Sequence, residues 1–313
     1  MKKAGVVIEN VSPLLDCGRH AIKRLAGDPV RVTADIFKDG HDVIAAVVKW
    51  RAVGTRKWQE APMEPGDNDR WSGSFTVTGI GDCEYTVEAW LDAYETWRDE
   101  FRRKDEGGQE DLAAESLEGA FLLEQGATRA GKADAAVLRA AAAELAKADR
   151  NRARSIAARA DLAGIMARYP DRAIGGEFRP CGRIMVERRA ALFAAWYEFF
   201  PRSAGGHGDR GSTFRECLAR LDDAAAMGFD VVYFPPVHPI GATKRKGRNN
   251  ALACAPGDPG VPYAIGNRHQ GCPHGGGHRD VAPELGTLED FAWLVGEAKK
   301  RGLEIALDFA LNC

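Results

Sequence analysis

A chain of 313 residues, 45% hydrophobic and 28% charged, with a net charge of −2, has the composition of a folded protein large enough for one big domain or two smaller ones. High apolar content at near-zero net charge excludes disorder, and it excludes nucleic-acid binding driven by bulk charge. No run approaches the roughly 18 apolar residues of a membrane span, and Ala4 to Ile8, after Lys2 and Lys3, is too short for a signal-peptide core.

Seven cysteines, at 17, 83, 181, 217, 254, 272 and 313, are scattered and odd in number. They fit reduced thiols in a cytoplasmic protein. Residues 1–106 read as short strands. Val30 to Ile36 alternates with period two, and Ala45 to Val53, Trp71 to Val77 and Cys83 to Leu91 are further β-rich runs. Turn clusters separate them at Lys38 to His41, Pro65 to Asp69 and Gly79 to Asp82. This spacing predicts a small β-sandwich of immunoglobulin-like architecture. Trp50, Trp58, Trp71, Tyr85 and Trp90 either fill that sandwich or line a sugar-stacking face; strands favour aromatics, which favours filling.

Residues 107–168 are rich in Ala, Glu, Arg and Lys and contain no proline. That predicts two or three helices, with a break at Gln125-Gly126-Ala127. The segment is thinly apolar, so it is expected to pack on the sandwich or on a second copy of itself. Residues 169–189, with Pro170, Gly175, Gly176, Pro180 and Gly182, read as a connector.

A β-then-α pattern follows over 190–313. Phe193 to Phe200 is a strand, and Thr213 to Met227 is a helix with a Thr213/Glu216 capping box and a stop at Gly228. Phe229 to Phe234 is a strand with both faces covered. After a long loop, 235–283, Thr287 and Asp290 cap a helix that buries Leu288, Phe291, Leu294, Val295 and Ala298 and stops at Gly302. Leu303 to Leu311 is a third buried strand. This is a parallel βαβαβ unit, and three strands leave an open sheet edge where a full barrel needs eight units and about 250 residues. The expectation is an incomplete (β/α)8 barrel.

In such a fold the working residues sit at the carboxyl ends of the strands. Lys244-Arg245-Lys246-Gly247-Arg248-Asn249-Asn250 puts four cations and two terminal amides on a loop over that face, fit to hold a phosphate and sugar hydroxyls or simply to stay solvated. Tyr263, in the following loop, offers a ring to a sugar face. Cys254, Cys272, His274 and His278 match no standard zinc spacing, so no metal is expected. Phosphate-loop, dinucleotide and serine-elbow motifs are missing, and no cofactor is implied.

The strings Ala195-Trp196-Tyr197-Glu198-Phe199-Phe200-Pro201-Arg202-Ser203, Pro235-Pro236-Val237-His238-Pro239-Ile240-Gly241 and Arg245-Lys246-Gly247-Arg248-Asn249-Asn250 resemble the maltosyltransferases of the α-amylase superfamily. Those enzymes use α-maltose 1-phosphate to extend α-1,4-glucans. Pro283 to Phe291 and Leu303 to Phe309 are similar to the approach to the third barrel strand throughout that superfamily. The resemblance implies α+β multidomain architecture, with an N-terminal sandwich whose helical insert supports a homodimer. It implies donor binding by Lys246, a sugar contact by Asn250, and a further contact by Asn312 where the family usually carries glutamine. It departs at Asn267 to His278, a longer Gly/His-rich stretch without the family's acidic residue. The family's nucleophilic aspartate and acid/base glutamate lie on later strands, beyond Cys313, so the chain reads as an N-terminal portion that is inactive alone. Glu198 and Asp308, both at strand ends, match neither catalytic position. Two other readings are a glucan-binding or dimerisation module without catalysis, and another superfamily activity such as hydrolysis or branching.

Overall fold

The computed structural model describes residues 5–208, 210–266 and 273–311, and it divides the chain into two units, 1–188 and 189–313. Among the described residues, the first unit carries the strands β1 (Val7–Ser12), β2 (Ile22–Leu25), β3 (Pro29–Phe37), β4 (Ile44–Ala52), β5 (Gln59–Pro65), β6 (Arg70–Thr76), β7 (Gly81–Leu91), β8 (Gly175–Glu177) and β9 (Gly182–Glu187). They form one curled sheet in the order β1-β3-β6-β5-β4-β7-β9-β2, with β8 paired to β7. All pairs are antiparallel except β2 with β9.

Period-two alternation builds the core of this sheet. Val30, Val32, Ala34 and Ile36 on β3 and Cys83, Tyr85, Val87 and Ala89 on β7 belong to one buried cluster. Trp71, Tyr85 and Trp90 are buried, and Trp50 stacks on Phe75 at 4.6 Å. The half-buried Trp58 lies under the Arg51 guanidinium. Packing therefore occupies these rings, and they do not assemble into an open stacking face. The stretch read as a connector contributes β8 and β9. Its glycines permit close strand approach: a Cβ on Gly175 would meet the Ala89 carbonyl at 2.3 Å.

Five helices follow β7: α1 (Ala93–Glu106), α2 (Ala113–Arg129), α3 (Lys132–Leu145), α4 (Arg150–Ala157) and α5 (Ala160–Arg168). Several expectations change here, the first being that residues 107–168 form four helices, α2 to α5, and not two or three. Helix begins at Ala93 rather than after Gly107, because the Asp92 carboxylate caps the Glu95 amide at 3.0 Å. That extra helix adds Tyr94, Trp97 and Phe101 to a second core with Leu123, Leu138, Leu145, Ile156 and Leu162. The helical segment thus buries its own apolar face. The expected break at 125–127 lies inside α2, where Gly126 makes room for the Met166 thioether; the chain turns at Ala130 and Gly131 instead.

The second unit runs β10 (Trp196–Glu198), α6 (Leu218–Ala226), β11 (Val231–Phe234), α7 (Leu288–Lys300) and β12 (Glu304–Leu307). The strands are parallel in the order β10-β11-β12. Thr213 and Glu216 form the expected capping box, on a 3₁₀ turn (Phe214–Cys217) that leads into α6. Thr287 and Asp290 form a second box on α7. Phe214, Leu221 and Ala224 pack with Val232, Phe234, Leu294 and Ala298. Val295, expected inside, is 38% exposed. The outer strands are shorter and less buried than the sequence pattern implies. Among the described residues β10 and β12 each pair with one strand, β11, and Phe193 and Phe309 are 77% and 63% exposed. The central β11 is, among the described residues, the most buried of the three strands. Among the described residues no helix is long and apolar enough to cross a membrane.

Candidate functional site

The parallel strands of the second unit aim their carboxyl ends at one side. In register, Glu198 of β10 lies beside Tyr233 of β11, and Asp308 follows β12. The Tyr233 hydroxyl donates to Asp308 Oδ2 at 2.5 Å, which pushes the phenol up to about 12. Tyr263 is raised by burial and then by the charges of Asp308 and Glu198, so the long loop brings this ring within electrostatic reach of both carboxylates. Trp196 lies 6.3 Å from the Tyr233 ring.

The long loop is stitched to the strand ends by its backbone. Gly241 donates to Ala264, Gly266 to Pro239, and Ala282 to Val237, at 2.7–2.9 Å. A bridge joins Ile240 to Ile265. Within the loop, Gly247 donates to Ala251 and closes a 3₁₀ turn over Arg248–Asn250. Only glycine fits there, since a Cβ would meet the Ala253 carbonyl at 2.3 Å. Lys246, just before the turn, is half-buried, and its ammonium has no hydrogen-bond or ion-pair partner among the described residues. Asn250 ends the turn, exposed and in the left-handed region at φ 62°. Asn312 lies outside the described residues, as do Cys272 and Asn267 to Gly271.

His238 is 5% exposed, with its ring Nδ1 3.1 Å from the Pro239 carbonyl. Burial lowers its pKa, and because a carbonyl oxygen only accepts, the Pro239 contact suits a proton on Nδ1. The His278 ring stands edge-on to it at 5.4 Å and packs on Phe309 at 4.4 Å. His274 donates its backbone amide to the buried Asp280. The two loop histidines thus serve packing and turn formation. A cavity of about 710 Å³ opens beside His238, walled also by Arg202, Arg245 and Glu284. Sequence reasoning passed over Arg202 and His238 as site residues, although both stand in the motifs at the strand ends. Their spacing shows nothing of a shared cavity, because the long loop closes it.

Residues 4–188 match the family profile described as alpha-1,4-glucan:maltose-1-phosphate maltosyltransferase, domain N/S. The chain is 46% identical to the alpha-1,4-glucan:maltose-1-phosphate maltosyltransferase of Myxococcus xanthus, over 98% of this chain and 46% of that protein. The enzyme of the same name from Chlorobaculum tepidum is 43% identical over 98% of this chain and 45% of its own length. The chain therefore spans about half the length of the curated relatives it matches. Among solved structures, a pullulanase complexed with maltotriose from Anoxybacillus sp. LM18-11 is 10% identical with a TM-score of 0.21, covering 91% of this chain and 33% of that one. That likeness is too slight to bear on fold or function.

Proposed function

The chain belongs to the alpha-1,4-glucan:maltose-1-phosphate maltosyltransferase family, and from that premise we propose that it is the N-terminal part of a retaining glycosyltransferase. The reaction moves maltosyl units from α-maltose 1-phosphate to an α-1,4-glucan. The observation that carries this reading is the similarity itself, at more than 40% identity across both units. In this reading the curled sheet is an immunoglobulin-like sandwich and α1 to α5 are its helical insert. The second unit is the first three β/α units of a (β/α)8 barrel, in keeping with three parallel strands laid side by side in chain order.

Lys246 binds the donor. A half-buried ammonium without a partner among the described residues is poised to take a ligand oxygen, since a charge held partly out of water is costly until it is paired. Asn250 and Asn312 supply amides to the same sugar; Asn312 does so one methylene shorter than the glutamine that the family resemblance implies. Retaining transfer needs two carboxyl groups about 5 Å apart, one as nucleophile and one as acid/base. Glu198 and Asp308 are not that pair in this reading. Asp308 is engaged by the Tyr233 hydroxyl, and the catalytic pair belongs to the half of the relatives that this chain does not span. A homodimer forms through the helical segment, where Leu117 and Phe121, one helical turn apart on α2, are both exposed. Free thiols at all five described cysteines agree with a cytoplasmic setting.

The test is equilibrium binding of α-maltose 1-phosphate to the chain by calorimetry. Lys246→Ala should weaken binding about tenfold or more, the scale of one lost charge-assisted hydrogen bond. Equal affinity in the two proteins would remove Lys246 from the donor site.

A further inference from the structure

The loop that carries Lys246 is tied down on both sides of that residue, and the ties converge on Asp258. Before Lys246, the Arg245 guanidinium donates to the carbonyls of Ile240, Asp258 and Pro259 at 3.4, 3.5 and 3.0 Å. After it, Arg248 pairs with Asp258 Oδ1 at 3.3 Å. Asp258 Oδ2 accepts the Ala255 amide at 2.8 Å, while the Asp258 amide donates to the Ala255 carbonyl at 3.1 Å. Residues 255–258 therefore close as a reciprocal turn, the local bonding that Asp favours. Arg202, just after β10, donates to the Gly260 carbonyl at 3.1 Å and anchors the same stretch. One residue thus joins both flanks of Lys246 to a fixed turn.

The held conformation is not one the chain would keep unaided. Asn249 and Asn250 both lie in the left-handed region, at φ 55° and 62°, which is unfavourable for a residue with a side chain unless its neighbours impose it. Gly247 packs so closely that a Cβ would meet Asp258 Oδ2 at 2.8 Å. The Asp258 side chain is only 11% exposed, so its charge is held partly out of water and depends on these partners. Its sign is also wrong for the ligand. A carboxylate beside a loop that receives an anionic donor repels that donor, so its place there is explained by what it holds and not by what it attracts.

We propose that Asp258 is a positioning residue for the donor: it fixes the backbone at 245–248 so that the Lys246 ammonium is presented half-buried and ready for a ligand oxygen. This rests on the reading of Lys246 as the donor-binding lysine and adds the residue that sets its place. Charge and position predict opposite signs. By charge alone, removing Asp258 tightens binding of an anion. By position, it weakens binding, because a loosened Lys246 must be ordered each time the donor arrives.

The experiment is calorimetric titration of the 313-residue chain with α-maltose 1-phosphate, combined with limited trypsin digestion. Asp258→Ala should weaken the donor about tenfold. Asp258→Asn, which keeps an oxygen for the Ala255 amide, should stay near the parent. In a Lys246→Ala background the Asp258→Ala loss should vanish, since the two residues act as one. Trypsin should cleave Asp258→Ala several-fold faster at 244–248, with no change after Arg220 in α6, which separates a loosened loop from an unfolded unit. Equal or tighter donor binding by Asp258→Ala, unchanged cleavage of the loop, or the same loss with and without Lys246 would overturn the proposal while Lys246→Ala still weakens the donor. Parent affinity in Lys246→Ala would instead overturn the donor-site reading, and the proposal with it.

Discussion

Asp105 shows how single residues hold the helical segment together. Its carboxylate is 8% exposed and receives Arg154 at 2.5 and 2.9 Å and Arg150 at 2.7 Å. Hydrogen bonds from Arg154 and then Arg150 lower its pKa to about 2. The unfolded value is about 3.9, so the stabilisation is fully present above that pH and is lost as pH falls through the folded value. Asp105→Asn should lower the urea midpoint at pH 7, and the gap to the parent should close as pH drops from about 4 to about 2. A gap that stays constant would deny the ion pairs their role. Neither arginine partner is legible in the sequence, since both lie more than forty positions from Asp105 and only the fold of α1 against α4 joins them. Lys246 was legible, because it stands in a compact motif; its half-buried, unpartnered state was not.

At the scale of elements, the legible parts are those with local signals. β3 announces itself by alternation, and β4, β6 and β7 as β-rich runs between turn clusters; both capping boxes and the stops at Gly228 and Gly302 are found where expected. β2, β8 and β9 are short and are made by pairing between residues far apart, as in Ile22 with Ile184. No local pattern encodes such pairing. α1 was hidden because it follows β7 after a single residue, Asp92, although Asp92 and Glu95 already form a start signal. Two helical glycines test the packing. Gly296 in α7 has open space at its Cβ position, whereas a Cβ on Gly119 in α2 would meet the Trp97 ring at 2.1 Å. Gly296→Ala should stabilise by about 0.5–1 kcal/mol through helix propensity. Gly119→Ala should instead destabilise by about 1–3 kcal/mol, because the indole is fixed by its hydrogen bond to the Glu115 carbonyl. Urea midpoints measure both, and the same sign at the two positions would contradict the packing.

For the whole molecule, the two units differ in how completely each buries its surface. The first contains two cores and a curled sheet. Among the described residues the second has one core beneath a three-stranded sheet whose outer strands pair on one side, and Leu307, Phe309 and Leu311 are exposed around β12. In the proposed reading this half-enclosed surface presents donor contacts while the catalytic carboxylates belong elsewhere. That division is what the family resemblance implies, and composition alone could not have shown it. The most direct measurement is phosphate release from α-maltose 1-phosphate, with an α-1,4-glucan acceptor, by the 313-residue chain. The account predicts none above background in a preparation that still binds the donor through Lys246. Sustained turnover by that preparation would contradict it and return Glu198 and Asp308 to consideration as the reacting pair.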